Sequence, residues 1–169
     1  MKKTSILILT LVFFNCSSTK TNVFETQEWI NSQNFTINKP NSWRPVKHHE
    51  YVGYTPLKES DNFFNNLVSI FQYELKEKSS FNNFVQKQIE QTNKALTIIS
   101  QEILTDKNQL GDVYIHKLES TWNGNSYKKY TVYFEQNGEY YNYNYSSLKH
   151  SYEKHFEEAI SILKSIEFK

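Results

Sequence analysis

Two Asn-Gly pairs, Asn123-Gly124 and Asn137-Gly138, constrain this chain more than any other feature. They punctuate three runs rich in β-branched and aromatic residues. Asn-Gly accepts positive φ at both central positions, so it favours a two-residue type I′ hairpin. If both turns take that form, the register of three strands follows. The first turn pairs Val113 with Phe134 and Ile115 with Val132. The second pairs Phe134 with Tyr141, Val132 with Tyr143, and Tyr130 with Tyr145. One face then carries Val113, Ile115, Tyr130, Val132, Phe134, Tyr141, Tyr143 and Tyr145. The opposite face carries Tyr114, His116, Thr131, Tyr133, Asn142 and Asn144. A one-residue slip would scramble the apolar set, so the two turns support one another.

The flanking segments supply the rest of a domain. Asn34 to Asn38 alternates apolar and polar residues and reads as a half-buried strand. Lys39-Pro40-Asn41-Ser42 ends it with turn chemistry. Trp43 to Val46 and Tyr51 to Thr55 read as short strands, biased to sheet edges by Pro45 and Pro56. Asn66 to Glu74 is apolar on both faces, which suits a strand inside the sheet. Ser79 or Ser80 can cap a helix through a side-chain oxygen. Phe81, Phe84, Val85, Ile89 and Leu96 then recur at three-to-four spacing, so the helix is amphipathic to about residue 97. Ile98 to Leu104 returns to strand. Tyr152, Phe156, Ala159, Ile160 and Leu163 form the stripe of a second helix, with Glu153 early and Lys164 late, as the helix dipole favours. Ser165 to Phe168 adds a last short strand. The fold class is α+β: an antiparallel β-sheet flanked by two main helices, in one domain over residues 29–169.

Residues 1–28 fall outside that pattern. Lys2 and Lys3 precede an apolar run from Ile6 to Phe14. A membrane-spanning helix needs about 20 residues, so this run has the length of a signal-peptide core. The chain's single Cys, Cys16, stands where the run stops, and Ser17, Ser18, Thr19 and Lys20 follow. The leader resembles a bacterial lipoprotein signal with a loose lipobox, Phe14 and Asn15 standing where small residues are the rule. The resemblance implies a signal peptide over residues 1–15, a diacylglyceryl group on Cys16 and a polar tether over residues 16–28. It places the protein in the cell envelope as a membrane-anchored lipoprotein. Ser17 after the Cys favours the outer membrane, and the lack of an acidic cluster favours its periplasmic side. A plain signal peptide followed by a free Cys, or an uncleaved anchor, are the alternatives.

The order of elements resembles the PsbP-like family, which includes the DcrB-like lipoproteins of bacteria. The resemblance rests on the opening Phe35-x-Ile37-x-x-Pro40-x-x-Trp43, the helix from Ser80, the Gly111-led meander and the closing Ser165-Ile166-Glu167-Phe168. It covers about residues 29–168. It implies an α/β/α sandwich around a central antiparallel sheet and mostly non-catalytic roles. A full sandwich covers both sheet faces, yet the Tyr114/Tyr133 face is rather polar. Either helices cover that face only in part, or it is open to a ligand.

Composition narrows the chemistry. The formal net charge is +1, without the basic excess of a nucleic-acid binder. Removing Lys2 and Lys3 leaves 17 basic residues (19 − 2) against 18 acidic ones, so charge does not draw the mature chain to anionic lipid. Four Gly leave no phosphate-cradling loop. No Ser sits in a Gly-x-Ser-x-Gly elbow, so no catalytic residue is assigned, and no cofactor. His48-His49-Glu50 reads as a solvated loop, because neighbouring strand residues point to opposite faces. His150 and His155 are five apart, not the four that align two imidazoles, so no metal site is assigned either. The candidate ligand-binding set is Tyr114, His116, Tyr133, Asn142 and Asn144, with rings for stacking and amides for hydrogen bonding. A protein, peptide or glycan of the envelope is the expected partner; a cryptic enzymatic or metal site is the alternative.

Overall fold

The computed structural model describes residues 33–48, 50–58, 66–73 and 79–169. The leader, Cys16, the tether, Trp29, His49 and Glu74 lie outside the described residues.

Nine strands and two helices make up the described chain. In chain order they are β1 (Phe35–Thr36), β2 (Trp43–Lys47), β3 (Val52–Pro56), β4 (Asn66–Tyr73), α1 (Phe81–Ala95), β5 (Thr97–Asn108), β6 (Gly111–Trp122), β7 (Asn125–Gln136), β8 (Glu139–Leu148), α2 (Tyr152–Lys164) and β9 (Glu167–Phe168). Seven strands form one sheet in the order β2-β3-β4-β8-β7-β6-β5, every neighbour antiparallel. β1 and β9 form a separate pair that ties the domain's two ends together, Phe35 opposite Phe168.

Both Asn-Gly turns have the expected form. Asn123 and Gly124 have φ of 47° and 77°, and Asn137 and Gly138 have 55° and 78°. The registers Ile115↔Val132, Phe134↔Tyr141, Val132↔Tyr143 and Tyr130↔Tyr145 follow. On the Val132 side, Val68, Ile70, Val113, Val132, Tyr141 and Tyr143 pack against Ala159, Ile162 and Leu163 of α2. The Tyr143 hydroxyl donates to the Ala159 carbonyl at 2.6 Å, which satisfies the polar end of a fully buried ring. The Trp43 indole N–H donates to Glu158 at 2.9 Å and the Ser42 hydroxyl donates at 2.8 Å, so the first strands are clamped to α2. These bonds hold the Glu158 carboxyl below its usual range, the Trp43 bond most of all.

The helix α1 starts where its cap dictates: the Ser80 hydroxyl accepts from the Asn83 N–H at 3.3 Å. It packs Phe84, Val85 and Ile89 against Tyr133 and Tyr140, on the side opposite to α2. Among the described residues α1 packs most closely on β5 and β7, and α2 on β8 and β4, while side chains of both helices reach further across the sheet.

Three boundaries differ from expectation. α1 ends at Ala95, because Leu96 is already extended. β3 is an inner strand despite Pro56. Its pairing with β4 stops at Tyr54, so the missing N–H of Pro56 breaks no bond on that side. β5 runs on to Asn108, and it is an edge.

Candidate functional site

Strand alternation brings all five sequence-derived candidates to one face. Tyr114 lies opposite Tyr133, and Tyr133 opposite Asn142; His116 lies opposite Thr131, and Thr131 opposite Asn144. Their exposure differs sharply from that of a platform. His116, Tyr133, Asn142 and Asn144 are all under 9% exposed, and only Tyr114 is half-buried. α1 covers the Tyr133 end: Phe84 meets the Tyr133 ring edge-on at 6.3 Å, and the Tyr133 hydroxyl is hydrogen-bonded to Thr92. Phe81 of α1 meets Tyr114 at 5.6 Å, and the Tyr114 hydroxyl donates to the Asn82 side chain.

The polar atoms of this face mostly satisfy one another. The Thr131 hydroxyl donates to Asn144 at 3.0 Å. The Asn142 amide donates to the Tyr73 hydroxyl at 2.7 Å, leaving the buried Asn142 carbonyl oxygen without a partner. Burial pushes the Tyr73 hydroxyl up to about 12. His116 lies 3.1 Å from the Gln101 amide oxygen across to β5. Its pKa is lowered by burial first and by the Lys129 charge second, so the ring is neutral at pH 7. The set is brought together, but as an interior polar layer.

An open groove lies on the other face. The apolar side of the meander does not stay apolar: past Ile115 it continues as Lys117 and Glu119 on β6, and past Tyr130 as Lys128 on β7. Past Phe156, α2 does not line this part of the sheet. Its first turn instead forms one wall of a groove of about 490 Å³ over β5, β6 and β7. The lining includes three aromatic residues, Tyr130, Tyr152 and Phe156. Tyr130 meets Phe156 edge-on at 5.5 Å, and Phe156 stacks on Tyr152 at 5.2 Å. Charged pairs rim it. Lys128 lies 2.8 Å from Glu153 and 5.3 Å over the Tyr152 ring, and Lys117 lies 2.8 Å from Glu102. Lys149 pairs with Glu119 behind the rim. Aromatic faces ringed by donors and acceptors suit recognition of an amphipathic surface.

The groove escaped sequence reasoning because Tyr152 and Phe156 read as core positions of a helix stripe. The readable signal was the charge at Lys117, Glu119 and Lys128, three positions that the register places on the apolar face.

Other chemistry finds less support. The His48 ring stacks on Tyr51 at 4.1 Å and accepts from the Glu50 N–H. His155 lies against Trp43 and Glu158. Among the described residues no three His, Cys, Asp or Glu side chains converge as metal ligands. Among the same residues no helix is long and apolar enough to cross a membrane.

No family model matches the chain, and no curated protein matches it. Solved structures do. Cyanobacterial PsbP from Synechocystis is 14% identical, with a TM-score of 0.56 over 80% of this chain and 87% of that one. LpqN of Mycobacterium tuberculosis, involved in cell envelope biogenesis, is 13% identical, with a TM-score of 0.62 over 78% and 81%. PA94 from Pseudomonas aeruginosa is 10% identical, with a TM-score of 0.54 over 81% and 85%. At such identities the likeness speaks for architecture alone, and the chain shares its architecture with cyanobacterial PsbP, LpqN and PA94.

Proposed function

We propose that this chain is a lipid-anchored, non-catalytic binding module of the cell envelope, an α/β/α sandwich held to a membrane through Cys16. Its groove over β5, β6 and β7 receives an envelope protein. The observation that carries the reading is the groove itself: three aromatic residues and three lysine–glutamate pairs in or beside an opening that α2 leaves uncovered. The PsbP-like architecture and the envelope role of LpqN support the location. The leader supports the anchor, because a nine-residue apolar run that stops two residues before the sole Cys is short for a membrane span and apt for lipidation.

Labelling cells with radioactive palmitate tests the anchor. The wild type takes up label and Cys16→Ser takes up none; equal labelling of the two contradicts lipidation. Crosslinking of the native protein in cells, read by mass spectrometry, tests the binding role. A discrete envelope partner supports it. A purified protein that holds a stoichiometric metal and captures no partner would favour a cryptic metal or enzymatic site instead.

A further inference from the structure

The two edges of the seven-stranded sheet are treated differently. β2 is five residues long and carries Pro45, which has no N–H to offer a neighbour. β5 is twelve residues long, has no Pro, and is exposed along most of its length. Ile99, Ile103 and Leu104 on it are 54%, 42% and 38% exposed. A long edge with apolar side chains, and with no second strand beside it among the described residues, is a template for another strand. Its acids are partly neutralised from within the sheet: Glu102 pairs with Lys117 of β6.

The sequence of β5 selects what pairs there. In a two-fold antiparallel pairing, one residue faces its own copy. Centring the axis on Glu102 sets two carboxylates directly opposite each other, and centring it on Leu104 sets Glu102 against Asp106. Both are disfavoured. Centring it on Ile103 sets Ile99 against Lys107. Centring it on Gln101 sets Ile99 against Ile103 twice and one Gln101 amide against the other. Ile103 pairs with His116, Gln101 with Leu118 and Ser100 with Glu119, so Gln101 and Ile103 share a face. The pairing irregularity between Ile98 and Ser100 leaves Ile99, by alternation from Ser100, on that face as well. Four isoleucines then close over the axis.

We infer that β5 is a self-pairing edge: two copies of this chain join antiparallel about Gln101 into one continuous sheet of fourteen strands, twice the seven of one copy. The axis runs perpendicular to the sheet, so both grooves open on the same side. Ser100, Gln101 and Glu102 line the groove of each copy. The two grooves therefore meet across the axis as one extended surface.

Cysteine trapping on the full chain, extracted in mild detergent, tests this register. Under a mild oxidant Gln101→Cys is expected to give a symmetric disulfide-linked dimer. Thr105→Cys gives none above background, because its copies lie about 26 Å apart along the strands, at eight residues of strand rise. Cys16 is present in both variants, so any dimer it forms appears equally in both. Without oxidant, sedimentation of the wild type gives twice the mass of one processed chain. Ile103→Lys weakens that dimer by about tenfold or more, since the new charge is buried at the axis. Ile103 is 42% exposed within one copy, so the variant keeps its fold and its circular dichroism. A monomeric wild type, equal trapping at positions 101 and 105, or trapping of position 101 only to a different protein would each overturn the inference.

Discussion

Replacing Tyr143 with Ala is expected to lower the unfolding free energy by about 3–5 kcal/mol, the range for truncating a buried aromatic ring. Tyr143 is fully buried in the middle of β8. It stands opposite Val132 on one side and Ile70 on the other, and its hydroxyl reaches into α2. One side chain therefore joins the centre of the sheet to the helix that covers it. Tyr143→Phe separates the two contributions. It keeps the ring and removes only the bond to the Ala159 carbonyl, at a cost of about 1 kcal/mol. Urea unfolding measures both, as a shift in midpoint with an unchanged slope. Equal losses for Phe and Ala would mean that the ring packing contributes nothing.

The second large effect concerns the face that the sequence marks for recognition. Tyr133→Ala is expected to cost about 3 kcal/mol, because the ring is 3% exposed and lies under Phe84 of α1. Phe84→Ala is expected to cost a similar amount. The two share one contact, so the double variant loses about 1 kcal/mol less than the sum. Full additivity would mean that α1 is not held through this ring pair. A Tyr133 variant that loses a partner also loses packing, so partner capture from it has to be read beside its unfolding midpoint.

The strongest sequence signals were local. Asn-Gly dictates its own backbone, and two such turns place the twelve consecutive ladder positions of β7 against its neighbours without any knowledge of the rest of the chain. Ser80 and the Phe84/Val85/Ile89 spacing likewise mark α1, and Gly111 opens β6 with φ of 90°. Long-range features were harder. Polar residues on the Tyr133 face look solvated in sequence, but Thr131, Asn144 and Ser69 meet only when β4, β7 and β8 are assembled. β5 lacks a periodic apolar pattern past Leu104 because an exposed edge imposes none. Its order in the sheet depends on which strand finds no second neighbour. The groove depends on where α2 stops covering the sheet, a matter of helix placement that no local motif encodes.

These placements bear on how a surface of this kind acts. A groove walled by one helix turn and by three strands of a rigid sheet is preformed, so little ordering is lost when a partner enters. Paired charges at the rim steer and select partners more than they add affinity. The aromatic rings supply the buried contact area.

The most direct measurement is site-specific photo-crosslinking in living cells from within the groove. A photoreactive residue replaces Glu153, whose side chain is 71% exposed at the rim. A control replaces Lys87, exposed on α1 away from the groove. The account predicts a discrete adduct with an envelope protein other than this chain from position 153, and none from position 87. Identical patterns from both positions, or no adduct from position 153, would contradict it.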